Sequence, residues 1–180
     1  MEMHHIETLI SAEELQEGIR DIAERINRDY AGREVHLICL LKGGVFYMTE
    51  LSKYLTIPVS FGFMSVSSYG AGTKSSGVVK IVKDLDEPIE GKHVLVVEDI
   101  IDSGNTLSYI LELLRGRRPA SLKLTTMLDK PSRRVRDVKV DYTCFEVEDK
   151  FVVGYGLDYD QYYRNLPYIG EVVFDDGTEM

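Results

Sequence analysis

Positive charge is what this chain is shortest of: 21 lysines and arginines face 30 aspartates and glutamates, for a net charge of −9 and a pI near 5.0. That deficit disfavours nucleic acid or an anionic membrane as the main partner, because phosphate polymers are repelled at long range. A small anionic substrate stays open if a local basic cluster and a divalent cation receive it. There are only two cysteines, Cys39 and Cys144, each inside an apolar run and without Cys-x-x-Cys spacing, so both read as core residues. The four histidines have no metal-ligand spacing, which argues against zinc: His4 and His5 lie near an end expected to be mobile, and His36 and His93 stand at strand starts. No apolar run approaches the length of a membrane span, and residues 1–7 lack the basic and apolar regions of a signal peptide, so the cytoplasm is the expected location. Repeats, low-complexity tracts and linkers are missing too. With 180 residues, 44% hydrophobic and 28% charged, a single domain over 1–180 is expected.

What is present is concentrated in His93-Val-Leu-Val-Val-Glu-Asp-Ile-Ile-Asp-Ser-Gly-Asn-Thr106. Val94 to Val97 form a short β-branched run, as in a strand buried on both faces of a parallel sheet, and Glu98 and Asp99 mark its carboxyl end. Asp102 to Thr106 is a turn of small residues, and Leu107 to Arg115 continues with helical apolar spacing. The N–H groups opening such a helix lack intrahelical partners and sit at the positive end of the macrodipole, so phosphate is the natural guest. Gly104 allows close backbone approach, and Ser103 and Thr106 offer hydroxyls. A plain strand-turn-helix crossover is the bland alternative. It leaves unexplained why three carboxylates crowd an anion-shaped turn, where repulsion is a cost without a cation or a hydroxyl-rich ligand. Neither the Gly-x-x-x-x-Gly-Lys-Ser/Thr loop nor the Gly-x-Gly-x-x-Gly fingerprint is present. A ribose 5-phosphate fits better, with phosphate in the turn and hydroxyls on the adjacent acids.

This segment resembles the phosphoribosyl pyrophosphate signature of the type I phosphoribosyltransferases, and its spelling is similar to the hypoxanthine-guanine branch. Leu40-Leu-Lys-Gly-Gly44, Ser67-Ser-Tyr69 and Asp149-Lys-Phe-Val-Val-Gly-Tyr-Gly-Leu-Asp-Tyr159 match that branch in order, so the resemblance runs from about residue 8 to about residue 170. It implies an α/β fold of the type I phosphoribosyltransferase kind: a mostly parallel central sheet flanked by helices, with a small hood and a flexible lid loop.

The periodicities agree. Ser11-Ala-Glu-Glu14 spells a capping box, and Leu15, Ile19, Ile22 and Ile26 predict a helix to about Tyr30. Strands are expected over 34–41, 58–66, 78–82, 121–128 and 140–145, with Phe151 to Gly154 as a short last one. A second helix is carried by Phe46, Met48, Leu51 and Leu55. Alternating strands and helices predict a parallel sheet with helices on both faces and ligands beyond the strands' carboxyl ends, where each motif falls.

Several roles follow from the resemblance alone. Lys42 and Gly43, in a loop with a cis peptide before the lysine, and Arg164 would hold pyrophosphate. Glu98, Asp99, Asp102, Ser103, Gly104, Asn105 and Thr106 would bind the phosphoribosyl group. Lys130 would donate to the purine 6-oxo group, Phe151 would stack on the ring opposite Ile100, the Val152 backbone would read its edge, and Asp158 would serve purine or metal. Ser68 and Tyr69 would belong to the lid over 67–77. Read without the resemblance, Lys130 with Arg133, Arg134 and Arg136 is a solvated basic turn, Phe151 is core, and Asp158 and Arg164 are surface charges.

The implied activity is transfer of 5-phosphoribosyl from phosphoribosyl pyrophosphate to N9 of hypoxanthine or guanine, giving the nucleoside monophosphate and pyrophosphate. Mg²⁺ would be held by Glu98, Asp99 and Asp158, and Asp102 would take the N7 proton. A homodimer or homotetramer is the family habit. A regulator with this fold that binds RNA is the rival; the acidic charge and Asp102, where such regulators resemble a version with tyrosine, argue against it.

Overall fold

The computed structural model describes residues 3–68 and 79–177. Its centre is a six-stranded sheet of β2 (Val35–Leu40), β3 (Val59–Ser68), β4 (Val79–Lys83), β5 (His93–Ile101), β6 (Ser121–Asp129) and β7 (Tyr142–Glu146), in the order β4-β3-β2-β5-β6-β7. Every neighbouring pair is parallel except β3 with β4. A second sheet stands apart as β1 (His4–Ile10), β9 (Ile169–Phe174) and β8 (Val152–Val153), paired antiparallel in that order. This is the hood. Two of its strands escaped the periodicity reading: β1 places His4 and His5 in a paired strand rather than a mobile end, and β9 rather than Phe151 to Gly154 is the last strand.

The three α-helices among the described residues cover both faces of the large sheet. Helix α1 (Ala12–Asp29) starts as its capping box predicts, with Ser11 Oγ accepting from the Glu14 N–H at 3.1 Å. It buries Leu15, Ile19, Ile22 and Ile26. With α2 (Val45–Tyr54) it packs on Leu37, Cys39, Leu95 and Val97, while α3 (Asn105–Arg115) packs on the opposite face against Ile38, Leu40, Val94 and Val96. Consecutive strand residues therefore serve opposite layers, the two-residue period of a strand buried on both sides. In β5 that alternation breaks at Glu98 and Asp99, because Ile100 joins the α1 and α2 side and Ile101 the α3 side. Cys39 and Cys144 are packed in the core, where burial pushes each thiol up to about 12, away from reactivity. No described helix is long and apolar enough to cross a membrane.

Candidate active site

β5 carries the acidic residues further into the sheet than the sequence suggests, since the strand runs on to Ile101. Glu98 and Asp99 each fold back on the following peptide: Glu98 Oε1 accepts from Asp99 N–H at 2.9 Å and Asp99 Oδ1 from Ile100 N–H at 2.7 Å. Burial, and then the neighbouring Asp99 carboxylate, push Glu98 well above the usual carboxylate range.

The chain then turns at Asp102, Ser103 and Gly104 into α3. Gly104 is the N-cap with φ +82, and a Cβ there would meet Arg134 Cδ and Val138 Cγ2 at 3.1 Å and the Arg136 carbonyl oxygen at 3.2 Å, so both conformation and space call for glycine. Ser103 Oγ accepts from Asn105 N–H at 3.3 Å, and the Ser103 carbonyl accepts from the N–H groups of Val135 and Arg136. The 134–136 segment thus braces the turn from outside and leaves the first amides of α3 for an anion.

Asp102 is half-exposed and accepts from Arg133 Nε at 2.9 Å. Arg133 Nη1 also donates to Asp149 Oδ2 at 3.5 Å, and Asp149 Oδ1 lies 3.9 Å from Lys130 Nζ. Lys130 is only 8% exposed, so the solvated-turn reading fails for it: its side chain is enclosed at the end of β6. Asp149 lies two residues before Phe151, which is half-buried with its ring edge-on to Tyr159, at 5.5 Å between centroids. Val152 is buried in β8, and Ile100 packs on the core below α1 and α2.

After β2, the Leu41–Lys42 peptide is cis. Asp99 leans over the next residue so closely that a Cβ on Gly43 would lie 1.9 Å from its Oδ2. From the other side Gly156, at φ +101, presses on the Gly43 carbonyl. Arg164 Nη1 donates to the Gly156 carbonyl at 2.6 Å, and Arg164 pairs with Asp158 at 3.3 Å. Lys42 Nζ and Arg164 Nη2 both donate to Gln161 Oε1, at 3.2 and 3.1 Å, and Asp158 Oδ2 accepts from Gln161 N–H at 2.9 Å. Asp158 and Arg164 are therefore members of one hydrogen-bonded group with Lys42 and Gln161, rather than free surface charges.

Of the residues singled out in the sequence, the turn 102–106 and Lys130 form one group, and Lys42, Gly43, Asp158 and Arg164 another, with Glu98 and Asp99 adjoining both. Ser68 ends β3, paired with Val79; Tyr69 and the rest of the expected lid over 69–77 lie outside the described residues. Among the described residues no three His, Cys, Asp or Glu side chains are placed to hold a metal by themselves. Sequence reasoning gave no role to Asp149, Gln161 or Gly156 and read Arg133 as part of a solvated basic turn, without its tie to Asp102. The only available signals were the Lys130-x-x-Arg133 spacing and the Gly154-Tyr-Gly156 pair.

Residues 6–160 match the model of the phosphoribosyl transferase domain. The chain belongs to the phosphoribosyl transferase family. It is 51% identical over 171 residues to the hypoxanthine-guanine phosphoribosyltransferase of Bacillus subtilis, covering 94% of this chain and 95% of that one. It is 48% identical over 162 residues to the enzyme of the same name from Streptococcus thermophilus, covering 90% of each. A crystal structure of a hypoxanthine-guanine phosphoribosyltransferase from Bacillus anthracis superposes with a TM-score of 0.90 at 45% identity, covering 94% of this chain and all of that one. The mostly parallel sheet with its separate hood is thus the phosphoribosyl transferase fold, as expected from the signature at the end of β5.

Proposed function

We propose that this chain is a purine salvage enzyme that moves 5-phosphoribosyl from phosphoribosyl pyrophosphate to N9 of hypoxanthine or guanine. The observation that carries this reading is two groups that adjoin Glu98 and Asp99: an anion-shaped turn with Asp102 and the enclosed Lys130 side chain, and two cations sharing the Gln161 amide beside Gly43, on which Asp99 leans. The first suits a sugar phosphate and an oxopurine. The second suits a leaving pyrophosphate.

In the reaction, N9 of the base forms a bond to the anomeric carbon as the bond from that carbon to the pyrophosphate oxygen breaks, and the purine N7 proton passes to Asp102. Developing positive charge on the sugar is stabilised by Glu98 and Asp99. Lys130 donates to the 6-oxo group, Phe151 and Ile100 cover the ring faces, and the Val152 backbone reads its edge. The turn 103–106 holds the 5-phosphate, and Lys42, Gly43 and Arg164 receive the pyrophosphate.

The donor set fits a divalent ion. Glu98 and Asp99 are two adjacent acids, and Mg²⁺ takes one or two carboxylates and completes its shell with substrate oxygens and water. Glu98 and Asp99, with Asp158, are the residues that would hold it. Bound there, Mg²⁺ would neutralise charge on the pyrophosphate. A homodimer or homotetramer in the cytoplasm is the working form that goes with this reading.

Steady-state rates with phosphoribosyl pyrophosphate and Mg²⁺ against hypoxanthine, guanine, xanthine and adenine test the proposal. Turnover of hypoxanthine or guanine and none of adenine is expected; no turnover of either 6-oxopurine would refute it.

A further inference from the structure

Lys130 and Arg133 are separated by a single 3-10 turn, Pro131–Arg133, in which Arg133 N–H donates to the Lys130 carbonyl at 3.1 Å. They meet the same carboxylate, Asp149, one on each oxygen, at 3.9 and 3.5 Å. Arg133 has a second partner: its Nε is the 2.9 Å donor to Asp102. The result is an alternating row, Lys130, Asp149, Arg133, Asp102, whose two ends are the groups assigned to the purine 6-oxo and N7 atoms. The row cannot shift as a whole, because Val135 and Arg136 N–H groups are tied to the Ser103 carbonyl and Lys130 N–H to the Ile101 carbonyl.

We propose that Arg133 is the positioning residue of Asp102: it holds that carboxylate in the free enzyme, gives it up to the purine N7–H, and moves wholly onto Asp149, which releases the Lys130 ammonium to the 6-oxo group. The proposal rests on the function proposed above. Arg133 touches no reacting atom; it acts through its two carboxylates. Its guanidinium suits the task because its five donors in a planar fork can serve two carboxylates at once, with Nε on one and Nη1 on the other. Recognition of N7 and of the 6-oxo group is then a single event, since each exchange frees the partner the other needs.

The test is a double-mutant cycle with hypoxanthine as the varied base, using wild type, R133Q, D102N and R133Q/D102N, with R133K as the conservative variant. R133Q should lower kcat/KM for hypoxanthine about fivefold, the upper range for a half-exposed ion pair, and leave KM for phosphoribosyl pyrophosphate within about twofold. R133K should recover most of the loss, and R133Q should cost clearly less in the D102N background, where only its tie to Asp149 remains. Equal losses with and without Asp102, or a KM for phosphoribosyl pyrophosphate that rises in step, would overturn the role of Arg133 while leaving the proposed function intact. A D102N enzyme with wild-type kcat would overturn the proton acceptor itself, and with it the role given to Arg133.

Discussion

Replacing Gly156 with alanine should damage pyrophosphate handling far more than purine handling. A Cβ at that position lies 2.1 Å from the Gly43 carbonyl oxygen and 3.1 Å from its carbon, and both are backbone atoms that no rotamer change can move aside. Restoring ordinary contact requires the loop at Lys42 and Gly43 to retreat by roughly 1 Å, a misplacement that can cost about 10²-fold in rate when it falls on a reacting group. The backbone adds its own penalty, because φ +101 strains any residue with a side chain by about 1–3 kcal/mol. Arg164 is tied to the Gly156 carbonyl and Asp99 lies against Gly43, so the displacement reaches both residues beside the proposed pyrophosphate site. Pyrophosphorolysis of inosine monophosphate with pyrophosphate varied should show kcat/KM for pyrophosphate falling by about 10–10², with the midpoint of urea unfolding reduced. Gly32→Ala is the control: it too has a positive φ, +76, but nothing lies within 4 Å of its Cβ, so it should lose about 1 kcal/mol of stability and keep wild-type kinetics. A Gly156→Ala enzyme with wild-type kcat/KM for pyrophosphate would refute the argument that this contact sets the loop.

Asp102→Asn keeps size and hydrogen bonding but cannot take a proton, so kcat should fall by about 10²–10⁴ with little change in affinity for phosphoribosyl pyrophosphate, measured where chemistry limits turnover. Lys130→Ala should raise KM for hypoxanthine and guanine and spare KM for phosphoribosyl pyrophosphate; normal binding of inosine monophosphate by the variant would remove Lys130 from the site. Alanine at Glu98 and Asp99 should weaken phosphoribosyl pyrophosphate and Mg²⁺ binding, read by calorimetry, more than purine binding, and equal losses would contradict their assignment to the sugar side. His36 is buried, bonded to Ser60 Oγ at 2.7 Å, and desolvation lowers its pKa below the ordinary 6.5. The unfolded chain therefore takes up this proton first as the pH drops, so the stability His36 contributes is complete above about pH 6.5 and is lost below it. Urea midpoints should fall across that range more steeply for wild type than for His36→Gln, and parallel pH profiles would exclude the effect.

Local chemistry made much of this protein legible from its residues. The Ser11 and Glu14 capping box and the spacing of Leu15, Ile19, Ile22 and Ile26 place α1 to within a residue or so, because a helix start and an apolar stripe are encoded within one stretch of chain. The run Val94 to Val97, the acids after it and the turn at Gly104 likewise declare a buried strand ending at an anion site, since each requirement falls on neighbours in sequence. The hood was implied by the family resemblance, but its strands were not legible in the periodicity. Its strands β1 and β9 pair His4 with Phe174, and a pairing between the two ends of the chain leaves no periodic trace that tells it from a loose terminus. Nor was the burial of Lys130, which read as one more charge in a basic turn until Asp149, nineteen positions on, was brought beside it. The tie of Arg133 to Asp102 and the pressure of Gly156 on Gly43 belong to the same class. The sequence by itself marked the candidate residues for the proposed chemistry and the strand ends at which they stand. Which carboxylate faces which cation was decided only by tertiary structure, because that depends on distances set when separate crossovers close over the same sheet edge.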